Sequence, residues 1–182
     1  AEKNGFAKRL AGFFAERIYT REYPQGALGA AVVGFINRAG DGAAGLEYSM
    51  NHSLSGVNGE YTYANAAGTI IPGTQKITVE ERRGNTVRLT IDRDVQWVAQ
   101  QAIAEVVAKA HAQSGTVIVM NPKTGAILAH ATAPSFDPGQ TKGVDPYSWQ
   151  NPSVQEVFEP GSTGKVMTVS AAIEEGKITP ET

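Results

Sequence analysis

The stretch from Asp92 to Ala131 restricts the fold more than any other part of the chain, because it specifies one amphipathic helix followed by one hairpin. Between Arg93 and His111 the residues Val95, Val98, Ala99, Ala102, Ile103 and Val106 recur at helical spacing and form a single apolar stripe. Asp92 stands where its carboxylate caps the first turn of that helix. Gly115 to Met120 and Ala126 to Ala131 then read as two strands, with Asn121-Pro122-Lys123-Thr124-Gly125 as the turn between them. A lone hairpin is marginal in water, and helices need more sheet than this to cover. The pattern therefore points to a chain cut inside its second domain.

The flanking segments complete an α+β chain of two parts. Lys8 to Tyr19 carries Leu10, Phe13, Phe14 and Ile18 at helical spacing, which predicts a packing helix. A turn at Arg21–Gly26 leads to Ala27–Ile36, a small and apolar run that predicts a strand, and then to a polar loop at 37–44. A short helix is expected from Gly45 to near Leu54, and short strands with tight turns from Glu60 to Glu80. The character changes at Gly84-Asn85, so residues 1–84 and 85–182 are read as separate modules. Thr86 to Ile91 alternates like a strand. The loop at 134–152 is long enough to suggest a function. Ser162 to Glu175 reads as a nearly all-apolar helix stopped at Gly176.

Composition narrows the chemistry. With 41% apolar and 19% charged residues the chain is of the folding kind. A net charge of -2 gives no electrostatic reason to expect nucleic acid as a partner. There are no cysteines, and His52, His111 and His130 show no metal-ligand spacing, so no metal is expected. No apolar run reaches membrane-spanning length, and no signal peptide opens the sequence.

One tetrapeptide carries chemistry. Ser162-Thr163-Gly164-Lys165 has the form S-x-x-K. A serine hydroxyl is a poor nucleophile without a base in reach, and three residues along a helix put Ser162 and Lys165 on one face. Pro160-Gly161 sets Ser162 at the first turn, where unpaired N–H groups favour the negative charge of acyl transfer. Val166, Met167 and Val169 are expected to give Lys165 an apolar setting suited to a general base. A bare S-x-x-K also arises by chance, as a solvated lysine behind a capping serine. The neighbouring residues decide between the two.

Phe158-Glu159-Pro160-Gly161-Ser162-Thr163-Gly164-Lys165, followed by an apolar helix and Glu174-Glu175-Gly176-Lys177-Ile178, resembles the active-site segment of class B penicillin-binding proteins. Upstream, Arg21-x-Tyr-Pro-x-Gly26, Ala30, Ala31 and Gly34, then Gly42-x-x-Gly45-x-Glu47, resemble the motifs of that family's non-catalytic pedestal module. Val87-x-Leu-Thr-Ile-Asp92 with Gln96 resembles the start of its transpeptidase domain. Val119 to Gly125, Ile127-Leu128-Ala129, Pro134 to Asp137 and Asn151 resemble the stretch before the nucleophile. Among subfamilies the chain looks most like the division-septum type.

The resemblance implies a membrane-anchored peptidoglycan D,D-transpeptidase on the extracytoplasmic face, with a serine β-lactamase-like transpeptidase domain. Ser162 would attack stem peptides ending in D-Ala-D-Ala, and β-lactam antibiotics would acylate the same hydroxyl. Lys165 would be the general base and the Ser162 backbone N–H an oxyanion donor. Arg21 and Glu47 would brace the link between the two modules. No cofactor is implied. Partners would be a membrane glycosyltransferase and divisome proteins.

The family also uses an S-x-N serine and a K-[ST]-G strand, and neither occurs between Ser162 and Thr182. Lys123-Thr124-Gly125 spells K-T-G but lies upstream, as turn chemistry. The isolated chain is therefore expected not to turn over. Gly164 stands where the family often has a bulkier residue, which would weaken the first turn. Two other classes stay open: a catalytically silent scaffold acting through residues 1–84, and a β-lactam sensor or lactamase. The long module before Ser162 argues against a stand-alone lactamase.

Overall fold

The computed structural model describes residues 20–66 and 68–182. The helix expected at Lys8–Tyr19 lies outside them. The chain divides into two compact units, Ala1–Pro152 and Ser153–Thr182.

The centre of the first unit is made by the expected helix and the expected hairpin, which pack against one another. Helix α4 (Arg93–Ala110) starts under Asp92, whose side chain accepts from the N–H groups of Asp94 and Val95 at 3.0 and 3.1 Å. It ends in a Schellman turn, with the Ala112 N–H reaching the Val107 carbonyl at 3.1 Å and His111 in the left-handed conformation at φ 49°. Strands β5 (Gly115–Met120) and β6 (Ile127–Ala133) pair antiparallel, with Ile118 opposite His130 and a register shift beside Met120. Period two puts Ala129, Ala131 and Ala133 on one face of β6, where they pack against Ala99 and Ile103 of the helix, flanked by Val95, Val107, Val117 and Val119. The small β6 residues let helix and sheet approach closely. Gly115 extends this, since a Cβ there would sit 2.7 Å from the Val107 side chain.

Before α4 lies a set of short elements: α1 (Ala30–Val33), α2 (Gly45–Ser49), α3 (Asn51–Leu54), and strands β1 (Glu60–Thr62), β2 (Asn65–Ala66), β3 (Thr69–Ile70) and β4 (Lys76–Val79). β1 pairs with β4 and β2 with β3, both antiparallel. The short strands and the 45–54 helical stretch agree with the sequence reading, the latter broken at Met50.

Two strand expectations are corrected. Ala27–Ile36 does not form a strand: it turns and then makes the single helical turn α1. Gly29 and Gly34 hold φ of 67° and 78°, which extended backbone excludes, and the alanines between them favour helix. Gly34 is needed for a second reason, because a Cβ on it would fall 1.8 Å from the Ala44 carbonyl oxygen where the two segments cross. Thr86–Ile91 likewise forms no ladder. Its tie to the hairpin runs through the Thr90 hydroxyl, which donates to the Ile127 carbonyl at 2.6 Å, and just after the segment the Asp92 N–H bonds to the Leu128 carbonyl at 2.8 Å.

The loop after β6 begins with a cis Ala133–Pro134 bond and contains a 3₁₀ turn, Pro146–Trp149. It is held by aromatic contacts. The Phe35 ring meets Phe136 edge-on at 5.8 Å and Trp149 at 5.2 Å, within a cluster that includes Ala30, Tyr23, Ala44 and Val144. A short helix, α5 (Pro152–Gln155), follows.

In the second unit a 3₁₀ turn (Gly161–Gly164) runs directly into helix α6 (Lys165–Glu174). The expected stop at Gly176 is present. The Lys177 N–H bonds to the Ala172 carbonyl at 2.8 Å and the Gly176 N–H to Ile173 at 2.9 Å, with Gly176 at φ 63°. Among the described residues no helix is long and apolar enough to cross a membrane.

Candidate active site

Ser162 lies in the 3₁₀ turn and Lys165 is the first residue of α6. With three residues per turn, a 3₁₀ segment places i and i+3 in line, so the two side chains leave the same face more closely aligned than in an α-helix. The turn is tied locally: the Thr163 N–H bonds to the Pro160 carbonyl at 3.2 Å and its hydroxyl donates to the same oxygen. The Ser162 N–H stands at the beginning of this turn, where a helical N–H has no acceptor within the helix. Gly164 closes the 3₁₀ turn just before α6, and a bulkier residue would fit there. Its φ of -63° suits any residue, and a Cβ there would meet Pro160 at an ordinary 3.5 Å.

The apolar setting expected for Lys165 is not found. Val166 and Met167 are 70% and 71% exposed, and both Ser162 and Lys165 are exposed. A helix apolar nearly all round cannot be covered by the few other residues of Ser153–Thr182. No hydrogen bond joins the Ser162 hydroxyl to the Lys165 amine among the described residues. Catalytic hydrogen bonds of this kind often tighten only in the substrate complex.

Arg21 and Glu47 do meet. Arg21 Nη2 lies 2.9 Å from Glu47 Oε2, and Glu47 is only 7% exposed. Beside them the Tyr23 hydroxyl accepts the Ile36 N–H at 3.0 Å. Burial, more than any other influence, pushes the Tyr23 phenol above its usual range.

Two glutamines on α4, one helical turn apart, are the main polar ties of the first unit. Gln96, 2% exposed, accepts the His130 N–H at 2.7 Å and donates to the His130 carbonyl at 3.0 Å. Gln100 accepts the Gly29 N–H at 3.0 Å and donates to the Ala27 carbonyl at 2.9 Å. Gln96 was visible in the sequence as part of a motif. Gln100 was not singled out, though an i, i+4 glutamine pair at the edge of an apolar stripe is the signal that finds it. His130 is half-buried and hydrogen-bonded through its side chain to Asn151. Among the described residues no cluster of His, Cys, Asp or Glu is placed to hold a metal.

A serine and a lysine one turn apart at a helix start, behind Glu159-Pro160-Gly161 and after a helix-backed hairpin, are the arrangement that resembles the active-site segment of penicillin-binding proteins. Comparison with known proteins agrees. Residues 115–182 match the penicillin-binding protein transpeptidase domain, and residues 14–87 match the penicillin-binding protein A dimerisation domain. The chain belongs to the class B penicillin-binding protein family. It is 39% identical over 98% of its length to penicillin-binding protein PbpB of Mycolicibacterium smegmatis, covering 28% of that protein. It is 34% identical over 92% of its length to the probable peptidoglycan D,D-transpeptidase PbpC of Pseudomonas aeruginosa, covering 30% of it. The crystal structure of penicillin binding protein 3 from Mycobacterium tuberculosis superposes with a TM-score of 0.71 at 35% identity, over 88% of this chain and 33% of that one. Solved structures of that protein include complexes with aztreonam and ampicillin. The chain thus spans under a third of the length of these curated relatives.

Proposed function

We propose that the protein is a peptidoglycan D,D-transpeptidase working through an acyl-enzyme on Ser162. Ser162 and Lys165, aligned on one turn within the residues matched to the transpeptidase domain, carry this reading. Lys165 Nζ takes the Ser162 proton as Oγ attacks the carbonyl carbon of the penultimate D-Ala. The tetrahedral oxyanion is held in part by the Ser162 N–H. Its collapse breaks the peptide bond, and the departing D-Ala amine leaves with a proton. An amine of a second stem peptide then attacks the ester, forms the cross-link and returns the proton to Ser162. β-Lactams enter the same first step, and their ring opening leaves the acyl group in place.

Residues 1–84 act as the pedestal and 85–182 as the beginning of the catalytic domain, with the Arg21–Glu47 pair stiffening the pedestal where it approaches the link. The protein works at the outer face of the cell membrane, in the manner of the division-septum subfamily. Tyr61, Tyr63, Ile70 and Ile77 are exposed on the small hairpins and supply a face for a membrane glycosyltransferase or divisome partner.

The test is intact mass after incubation of the full-length protein with a penicillin. One stable adduct, absent from Ser162→Ala, is expected. A folded parent that takes up no penicillin would refute the enzyme and leave the scaffold. Rapid loss of the adduct by hydrolysis would point to a lactamase.

A further inference from the structure

We propose that a polar groove within residues 41–83 binds a neutral carbohydrate chain, the sugar backbone of the wall polymer whose stem peptides Ser162 joins. The choice of polymer rests on the transpeptidase reading given above.

Two depressions meet at Asn58. One, of about 510 Å³, is lined by Asn58, Tyr61, Glu81, Arg82 and Arg83, and the other, of about 460 Å³, carries Asp41 and Ser55. Each falls in the size range of ligand clefts, and side by side they suit a chain better than one compact molecule. The walls are pre-set. Val57 and Arg82 exchange both backbone hydrogen bonds, at 2.7 and 3.0 Å, and the Asn85 N–H reaches the Ser53 carbonyl at 2.8 Å. Gly84 lets these segments close on each other, because a Cβ there would fall 1.8 Å from the Leu54 carbonyl oxygen. Walls held in this way lose little freedom when a ligand arrives.

The lining decides the chemistry. Among the described residues the side chains of Asn58, Glu81, Arg82 and Arg83 have no hydrogen-bond or ion-pair partner. A carboxylate and two guanidinium groups thus line one depression without pairing, and donors and acceptors both stay open to a ligand. An anionic chain would meet Glu81 and a cationic one both arginines, each at a like-charge cost. A neutral polyhydroxylated chain meets neither cost, and each of its hydroxyls both donates and accepts. Tyr61, half-exposed, adds an aromatic ring for the C–H face of a sugar.

The probe is a peptide-free tetrasaccharide of β-1,4-linked N-acetylglucosamine, titrated into the full-length protein by isothermal calorimetry. Saturable binding is expected, with an affinity that changes by less than about twofold between about 50 and about 500 mM salt. Tyr61→Ala should weaken it about tenfold and Arg83→Ala about fivefold. Tyr63→Ala removes an equally exposed tyrosine that does not line the groove, and should bind as the parent does. Ser162→Ala should also bind the sugar normally, and Tyr61→Ala should take up penicillin at the parent rate. No binding by the parent, or parent-like binding in Tyr61→Ala, would overturn the proposal. So would an affinity that collapses in salt, which would mark an anionic polymer instead. Acylation at Ser162 in any of these cases leaves the transpeptidase reading intact. Sugar binding by a parent that takes up no penicillin would remove that reading and keep the groove.

Discussion

Replacing Gln96 by leucine should be among the most costly polar-to-apolar changes in the first unit. The new side chain fills the same buried space but leaves the His130 N–H and carbonyl without partners. A backbone group stranded in this way costs about 1–3 kcal/mol, and His130 is only half-buried, so the lower half of that range applies to each group. Two groups give about 3 kcal/mol, and burying leucine in place of an amide returns about 1 kcal/mol. The net expectation is a loss of about 2 kcal/mol. Gln100→Leu breaks the same number of bonds, but Gln100 is itself half-exposed where Gln96 is 2% exposed, so water can reach the groups it leaves. It should cost about 1 kcal/mol. Urea denaturation followed by tryptophan fluorescence measures both. Of the two tryptophans, Trp149 packs against Phe35 and reports unfolding, whereas Trp97 is largely exposed. Hydrogen exchange of the His130 amide should quicken only in the Gln96 variant. If Gln96→Leu cost less than about 0.5 kcal/mol, or no more than Gln100→Leu, the importance given to burial here would be wrong.

The other expectations are more local. Burial holds the His130 imidazole below the ordinary histidine pKa, with the Asn151 bond opposing it in part, so the unfolded chain takes up the proton first. Stability should therefore fall as pH drops through about 6.5 and level off below the lowered folded value. Denaturation midpoints at about pH 8 and about pH 5 should differ less in His130→Gln than in the parent. Arg21→Ala strands the nearly buried Glu47 carboxylate, but Arg21 is well exposed and solvent screening reduces the loss to about 1 kcal/mol. An unchanged melting temperature would refute a bracing role. His111 occupies a left-handed position that glycine adopts without strain, so His111→Gly should stabilise α4 by about 1 kcal/mol in thermal denaturation.

What could be read from the sequence followed the strength of the local signal. Asp92, the stripe behind it and the Asn121–Gly125 turn each specify their geometry with few residues, and helix and hairpin appear where expected. The order of motifs from Arg21 to Lys177 is enough to mark the family. Ala27–Ile36 misled because its apolar run hides two glycines whose backbone conformation cannot be inferred from hydrophobicity. Thr86–Ile91 alternates correctly, but alternation does not say whether a partner strand is present. The surroundings of Lys165 depend on residues remote in sequence, and apolar neighbours along one helix could not reveal that they point into solvent. Gln100 and the His130–Asn151 bond are contacts across long sequence separations and leave little local trace.

The grip of Gln96 on His130 also decides in which direction the sheet can grow. A side-chain amide has the donor and acceptor of a peptide group, and here it takes the two His130 groups that face away from β5. The Leu128 carbonyl on the same edge is taken by the Asp92 N–H. β6 is thus closed to further pairing along its middle, and so protected from edge-to-edge association with another chain. Any additional strand must join along Gly115–Met120, so the helix that covers one face of the sheet also settles its order.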